Sequence, residues 1–178
     1  MREVLTYRLP DASKVTLRPA RPDDAAAIIA AVRSTALERS YVLMEVYGKD
    51  AATQRAYIEH LDREHNLFLV ATVNEQLVGI LALLDFLLCS TPEPALCVGI
   101  HLDRAWRSHG IGSAMLRYAV RWAKAHGYRR LEADIFTTNE RSVHLFSNAG
   151  FREVTCRRRS VQVGVQKINE VILAKSLR

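Results

Sequence analysis

Residues 96–124 read LCVGIHLDRAWRSHGIGSAMLRYAVRWAK, and their pattern divides into three parts. Residues 96–102 form an apolar run of strand length, Arg107-Ser108-His109-Gly110-Ile111-Gly112 is a loop with two glycines, and helical patterning begins at Ser113. On that helix Arg117, Arg121 and Lys124 fall at i, i+4 and i+7 and make a solvated face, while Met115, Leu116, Ala119, Trp122 and Ala123 face inward. Gly127, after His126, ends it. A strand, a glycine loop and a helix in this order can hold a pyrophosphate. The first turn of a helix leaves backbone N–H groups unpaired and carries partial positive charge, so anions settle there. Gly110 and Gly112 lack a Cβ and let the backbone approach a ligand closely, and Arg107 adds a full charge. The dinucleotide fingerprint G-x-G-x-x-G fits poorly, because its third glycine falls on Met115 and residues 103–108 are too long for its turn.

The hexapeptide Arg107 to Gly112 instead matches R/Q-x-x-G-x-G/A, and in this the chain resembles the GNAT superfamily of N-acetyltransferases. A second segment follows at the expected distance: Asn139-Glu140-Arg141-Ser142-Val143-His144-Leu145-Phe146-Ser147-Asn148-Ala149-Gly150-Phe151 is similar to the family's N-x-x-(A/S)-x-x-L-Y-x-x-x-G-F. The likeness of element order extends over nearly the whole chain. The resemblance implies acetyl-coenzyme A as the acetyl donor, without a metal. It places the pyrophosphate on Arg107, Ser108, His109, Gly110, Ile111, Gly112 and Ser113, and the pantetheine arm along the strand backbone at Ile100 and Leu102. Asn139 and Phe146 stand on the other wall. A backbone N–H near Ile100 is the implied donor to the thioester oxygen.

With 178 residues and 49% hydrophobic content, the chain reads as one domain, residues 1–178, with material for a sizeable core. A net charge of +6 suits a polyanion, but the arginines are spread over several elements rather than gathered in a tail, so nucleic acid is not indicated. Coenzyme A, with its several phosphate charges, suits a basic surface equally well. Cys89, Cys97 and Cys156 show no C-x-x-C spacing and are too few for a disulfide framework, which predicts a reducing compartment. Cys97, inside the apolar strand, reads as a buried inert thiol. The first ten residues lack an apolar signal core, and the run 78–84 is far short of the ~20 residues that span a bilayer. The expectation is a soluble cytoplasmic protein with no membrane partner, and a homodimer is compatible with it.

Taken in order, residues 14–18 alternate as a first strand closed by Pro19. Pro22-Asp23-Asp24 starts a helix that carries Ile28, Ile29 and Val32 to about Arg33. In residues 34–49, Glu38, Tyr41, Met44, Glu45 and Tyr47 either pack or, as the resemblance implies, help to wall the acceptor site. Asp50 caps a second helix reaching Glu64. Leu67–Val73 and residues 77–84 form an antiparallel pair around Asn74-Glu75-Gln76, with Gly79 marking a bulge. Arg130–Phe136 alternates as a strand with one polar face, and residues 140–149 form a short helix capped by Gly150. Residues 152–162 and 166–175 make a hairpin turning at Gly164, with Arg157-Arg158-Arg159 as a solvated edge. The fold class is mixed α/β; the resemblance implies a mostly antiparallel sheet with flanking helices, whose central strand and Arg130 strand splay apart.

The implied reaction is direct attack of an uncharged primary amine, from a peptide N-terminus or a small molecule, on the acetyl thioester. The group that takes the proton is not assigned. Many family members carry a glutamate on the central strand, where this chain has Leu96 and Cys97. His101, Glu93, Asp85, Glu45 and Asp134 are all open. Phe146 stands where the family usually has a tyrosine and cannot donate a proton; with the absent glutamate, it motivates an alternative, a coenzyme A binding or sensing module with weakened chemistry. Closing the core beside Leu145 and Phe151 is its other role.

Overall fold

The computed structural model describes residues 4–36, 50–84, 95–163 and 166–177, the side chains of 34–36 and 159–166 excepted. Glu38, Tyr41, Met44, Glu45, Tyr47, Asp85, Cys89, Glu93 and Gly164 therefore lie outside the described residues. The strands are β1 Leu5–Arg8, β2 Lys14–Pro19, β3 Leu67–Val73, β4 Gln76–Leu84, β5 Ala95–Leu102, β6 Arg130–Phe136, β7 Arg152–Val163 and β8 Gln166–Ser176. The helices are α1 Ala25–Ala36, α2 Ala51–Glu59, α3 Ile111–Ala125 and α4 Glu140–Asn148.

The eight described strands join one sheet in the order β1-β2-β3-β4-β5-β6-β8-β7. Every pairing is antiparallel except β5 with β6, the one place where a parallel return requires a crossover, which α3 supplies. β3 is buried along its whole length because both faces are covered, which is why it reads as a continuous apolar run. Leu67, Leu69, Ala71 and Val73 face the main core with α3, whereas Phe68 and Val70 face a second core with Ile28, Val32 and Ile58 from α1 and α2.

α3 buries Ile111, Met115, Leu116, Ala119 and Ala123 and exposes Arg117, Arg121 and Lys124, as its periodicity requires. Met115 and Leu116 are fully buried, each worth ~1.5–3 kcal/mol in transfer from water, so Leu116→Ala would cost about 2–5 kcal/mol. Gly127, at φ 81°, ends the helix in the left-handed region. The entry of α1 is pinned by Arg18, whose Nη1 and Nη2 donate to Asp24 at 2.7 and 2.8 Å, while the Arg21 N–H donates to the same carboxylate at 2.7 Å.

The structure corrects several expectations. An additional strand, β1, precedes the expected first one and pairs with it from Leu5↔Leu17 to Arg8↔Lys14. α2 keeps its Asp50 cap, which accepts from Thr53 N–H at 2.7 Å, but ends at Glu59 rather than Glu64. Asp62 terminates the helical run by accepting from the N–H groups of Glu64 and His65, a local turn that competes with helix. α3 begins at Ile111, two residues before Ser113, because Gly110 takes the N-cap position at φ 78°. The bulge falls on Val78, one residue before Gly79: Ala71 pairs with Gly79 and Thr72 with Leu77. Val78 then offers its carbonyl to Asp103 N–H at 2.8 Å. On β6 the expected polar face includes a buried Glu132, which accepts from Arg130 Nε at 2.6 Å. Cys97 is half-buried rather than buried. The β7 edge carries exposed Arg157 and Arg158, with Arg157 reaching Asp134 at 3.2 Å.

Candidate functional site

The sheet opens where β5 and β6 part. β6 follows β8 from Arg130↔Ser176 to Phe136↔Glu170, and β5 follows β4 as far as Leu102↔Gly79. β5 and β6 themselves share only the rungs Ala95↔Arg130, Leu96↔Leu131 and Cys97↔Glu132. From Val98 to Leu102 the side of β5 that faces β6 therefore has no β6 partner, and a cleft lies there. Of its lining, Ile100, His101 and Leu102 come from β5, Arg107, Ser108, Gly110, Gly112 and Ser113 from the loop and the first turn of α3, and Asn139 from the cap of α4.

The loop is held in shape by its own polar groups. Arg107 Nε donates to the Leu102 carbonyl at 2.9 Å, tying the loop to the end of β5. His109 Nδ1–H donates to the Arg107 carbonyl at 2.9 Å, and its ring packs 5.9 Å from Trp106. Ser108 and Gly110 both take positive φ, 67° and 78°, and these turn the chain into α3. Among the described residues no side chain caps that helix. Its first backbone bond runs from Ala114 N–H to the Gly110 carbonyl at 3.0 Å, so the amides of Ile111, Gly112 and Ser113 stand ahead of it, aimed out of the N-terminus. A Cβ built on Gly110 would meet nothing among the described residues within 4 Å, which leaves a cradle open to an anion.

On the opposite wall Asn139 accepts from Ser142 N–H at 3.1 Å, so its Oδ1 caps α4 and its amide NH2 remains a donor at the cleft. Three residues expected at the site do not line the cleft with side chains. His109 packs on Trp106, Ile111 is fully buried and contributes its amide, and Phe146 is 2% exposed, edge-on to Phe151 at 5.0 Å. Five α4 residues that the sequence reading did not assign do line it: Arg141, Ser142, His144, Leu145 and Asn148. Arg141, Leu145 and Asn148 fall at i, i+4 and i+7, a helical stripe that could have been read from the second motif.

Of the groups weighed as proton acceptors, His101 lines the cleft, with Nε2 3.6 Å from Asp103 Oδ1. Asp134 is exposed and pairs with Arg157. No carboxylate lines the cleft among the described residues. On β5, Ile100 Cδ1 lies 3.8 Å from a Cβ built on Gly112, so Ile100 points to α3, and by alternation Cys97, Gly99 and His101 point to the other face. Gly99 there is exposed, with nothing among the described residues within 4 Å of a built Cβ. Among the described residues no group of three or more His, Cys, Asp or Glu is arranged to hold a metal ion, and no helix is long and apolar enough to cross a membrane.

A strand pair thus parts beside a glycine-led helix whose first amides face the opening. A family model described as "Acetyltransferase (GNAT) family" matches residues 34–151, and the chain belongs to that family of acyl-transferring enzymes. A curated relative, "Putative phosphinothricin acetyltransferase YwnH" of Bacillus subtilis (strain 168), is 45% identical over 56 residues, 32% of this chain and 34% of that protein. The chain thus spans about a third of the length of the curated relative it matches. Among solved structures, one described as a "putative phosphinothricin N-acetyltransferase" is similar with a TM-score of 0.78 and 26% identity, over 92% of this chain and 99% of that one. yncA from Salmonella typhimurium, solved with acetyl-CoA, is similar in fold with a TM-score of 0.83 and 18% identity, over 92% of this chain and 94% of that one.

Proposed function

We propose that the protein transfers an acetyl group from acetyl-coenzyme A to a primary amine, that of a small molecule or a peptide N-terminus, by direct attack. The observation that carries this reading is the parting of β5 from β6 beyond Cys97↔Glu132, beside the uncapped amides of α3. Family membership and the acetyl-CoA bound by the structural neighbour support the co-substrate. When bound, acetyl-coenzyme A supplies an electrophilic acetyl carbon on a thiolate leaving group. The residues present fit it. The amides of Ile111, Gly112 and Ser113, with Arg107, would hold the pyrophosphate, and Asn139 would donate from the facing wall. The β5 backbone at Ile100 and Leu102 would hold the pantetheine amides as a further strand would. A backbone N–H near Ile100 would aim at the thioester oxygen, where developing charge is stabilised.

Among the described residues there is space for the acceptor over Gly99, between Cys97 and His101, on the face of β5 turned away from α3. Since β5, Ala95–Leu102, carries no glutamate or aspartate, the reading favours amines that carry a useful neutral fraction unaided. Peptide α-amines titrate near ~7.7–8.0, whereas lysine side chains, near ~10.4, are almost wholly charged at neutral pH. The two relatives named for phosphinothricin acetylation point to a small-molecule amine. Residues 1–178 act as one domain in a cytoplasmic setting in this reading.

The test is a thermal scan with coenzyme A, then turnover of acetyl-coenzyme A with a panel of amines. At ~100 times the dissociation constant, mass action gives about 2.7 kcal/mol of stabilisation. A Tm unmoved by coenzyme A would remove the cofactor from the cleft. Binding without turnover of any amine would favour a sensing module. Rates with lysine ε-amines far above those with α-amines or low-pKa small amines would overturn the acceptor preference.

A further inference from the structure

The phosphate-gripping parts described so far lie on the loop and α3. The α4 wall carries a second set of polar groups that the pyrophosphate does not require. Arg141, His144 and Asn148 line the cleft from α4, around Leu145, which meets Gly112 at the first turn of α3. Arg141 lies one helical turn, ~6 Å, from Leu145 toward the start of α4. It is therefore near the anion cradle without being part of it. Arg18, Arg130 and Arg157 are each paired with a carboxylate. Among the described residues no carboxylate stands within ion-pair distance of Arg141, although it is exposed at the mouth of the cleft. His144 Nε2 accepts from the Asn148 amide at 2.8 Å, which places the proton of a neutral ring on Nδ1 and makes that atom a donor.

We infer that Arg141, assisted by His144, seats the 3′-phosphate of the coenzyme and makes this site discriminate coenzyme A from its 3′-dephospho form. The inference rests on the acetyltransferase reading. The 3′-phosphate is the third anionic group of the ligand, set apart from the pyrophosphate by the ribose, so a cation beside the α3 cradle but outside it can pair with it. A guanidinium suits it, since its fork donates two parallel hydrogen bonds to a phosphate and it stays charged at every working pH. The imidazole of His144, one helical turn along the same wall, adds a neutral donor.

The experiment is calorimetric titration of the full chain with coenzyme A and with 3′-dephospho-coenzyme A, for wild type, Arg141→Ala, Arg141→Lys and His144→Gln. Binding is read directly, without turnover. Wild type should bind coenzyme A about tenfold or more tighter than the dephospho form, the worth of one or two charge-assisted hydrogen bonds. In Arg141→Ala that ratio should fall to near one, through weaker coenzyme A binding with the dephospho form unchanged. Arg141→Lys should keep part of the ratio, His144→Gln should lower it modestly, and added salt should shrink it in wild type. Equal binding of the two ligands by wild type overturns the inference. A loss shared equally by both ligands in Arg141→Ala also overturns it, because the arginine then serves the pyrophosphate. If neither ligand binds wild type, the acetyltransferase reading fails, and the inference fails with it. Arg141 is exposed and carries no core contact, so an unchanged Tm of the unliganded variant should accompany any change in binding.

Discussion

Leu145 stands directly over Gly112: a Cβ built on the glycine would lie 3.2 Å from Leu145 Cδ2 and 3.6 Å from Cδ1. The contact sets how near α4 comes to the first turn of α3, and with it the width of the cleft mouth. Gly112→Leu should push the two helices apart and cost about 1–3 kcal/mol, the usual range for overpacking. The Tm of the variant should fall, and its shift with coenzyme A should vanish. A full coenzyme A shift in Gly112→Leu would show that the spacing of α3 and α4 does not govern binding.

Glu132 and Arg130 make a sequestered ion pair at the closed end of the cleft, with side chains 10% and 27% exposed. Breaking such a pair leaves a charge without compensation. Arg130→Met should cost about 3 kcal/mol, while Arg130→Met with Glu132→Leu should recover most of that loss, because apolar replacement of a whole pair is often neutral. Chemical denaturation of the two variants and of Glu132→Leu closes the cycle. A double variant as unstable as Arg130→Met would mean that packing, not charge, holds this corner.

Tyr7 on β1 has a buried hydroxyl with no hydrogen-bond partner among the described residues. Burial pushes its pKa up, against a lowering influence from Arg117. A hydroxyl stripped of water and left unbonded is a net loss, so Tyr7→Phe should raise stability by about 1 kcal/mol. Urea unfolding should show a higher midpoint with an unchanged slope; a lower midpoint would mean that the hydroxyl is satisfied in solution.

At Asp24, burial pushes the carboxyl pKa up, but the hydrogen bonds from Arg18 and from the Arg21 N–H pull it down, and the result lies below the ordinary carboxylate value. The sign follows. The unfolded chain binds the proton more tightly, so the pair's stabilisation is complete above the unfolded value of ~3.9 and is lost as pH falls through the lowered folded value. Asp24→Asn should cost about 2 kcal/mol at pH 7 and progressively less below about pH 4. An equal difference between wild type and variant at pH 7 and pH 3 would contradict it.

Strands with a covered face were legible in the sequence. β3 and β6 lie where the expectation put them, since a run of seven apolar or alternating residues bounded by polar turns admits few other readings. β1 was not legible, because as an edge strand it is only half-buried on alternate residues and writes a weak pattern. The start of α3 was misplaced because its N-cap is a left-handed glycine, not one of the side chains that signal a helix start. At the cleft, the glycine loop and Asn139 were readable from their motifs. Phe146 was readable in its core role beside Phe151, but its motif position alone does not say whether a side chain meets the ligand or the core. The α4 lining was visible only as periodicity inside a segment read for its fixed positions, so Arg141 and His144 went unassigned.

The meeting of β5 and β6 over three rungs has a mechanical side. Strands β1 to β5 form one plate and β6, β8 and β7 another, joined along a short seam at Cys97↔Glu132 and bridged above by α3 and α4. From that seam β5 runs five residues to Leu102, a lever of ~16 Å at the usual rise per residue. A tilt of about 5° between the plates would shift the far end by about 1.4 Å, more than the ~0.5 Å spread of a good N–H···O distance. Grip on a ligand strand at Ile100 and Leu102 is therefore set by angular stiffness at the seam, where Arg130 and Glu132 are clamped, well away from the atoms that would touch the ligand.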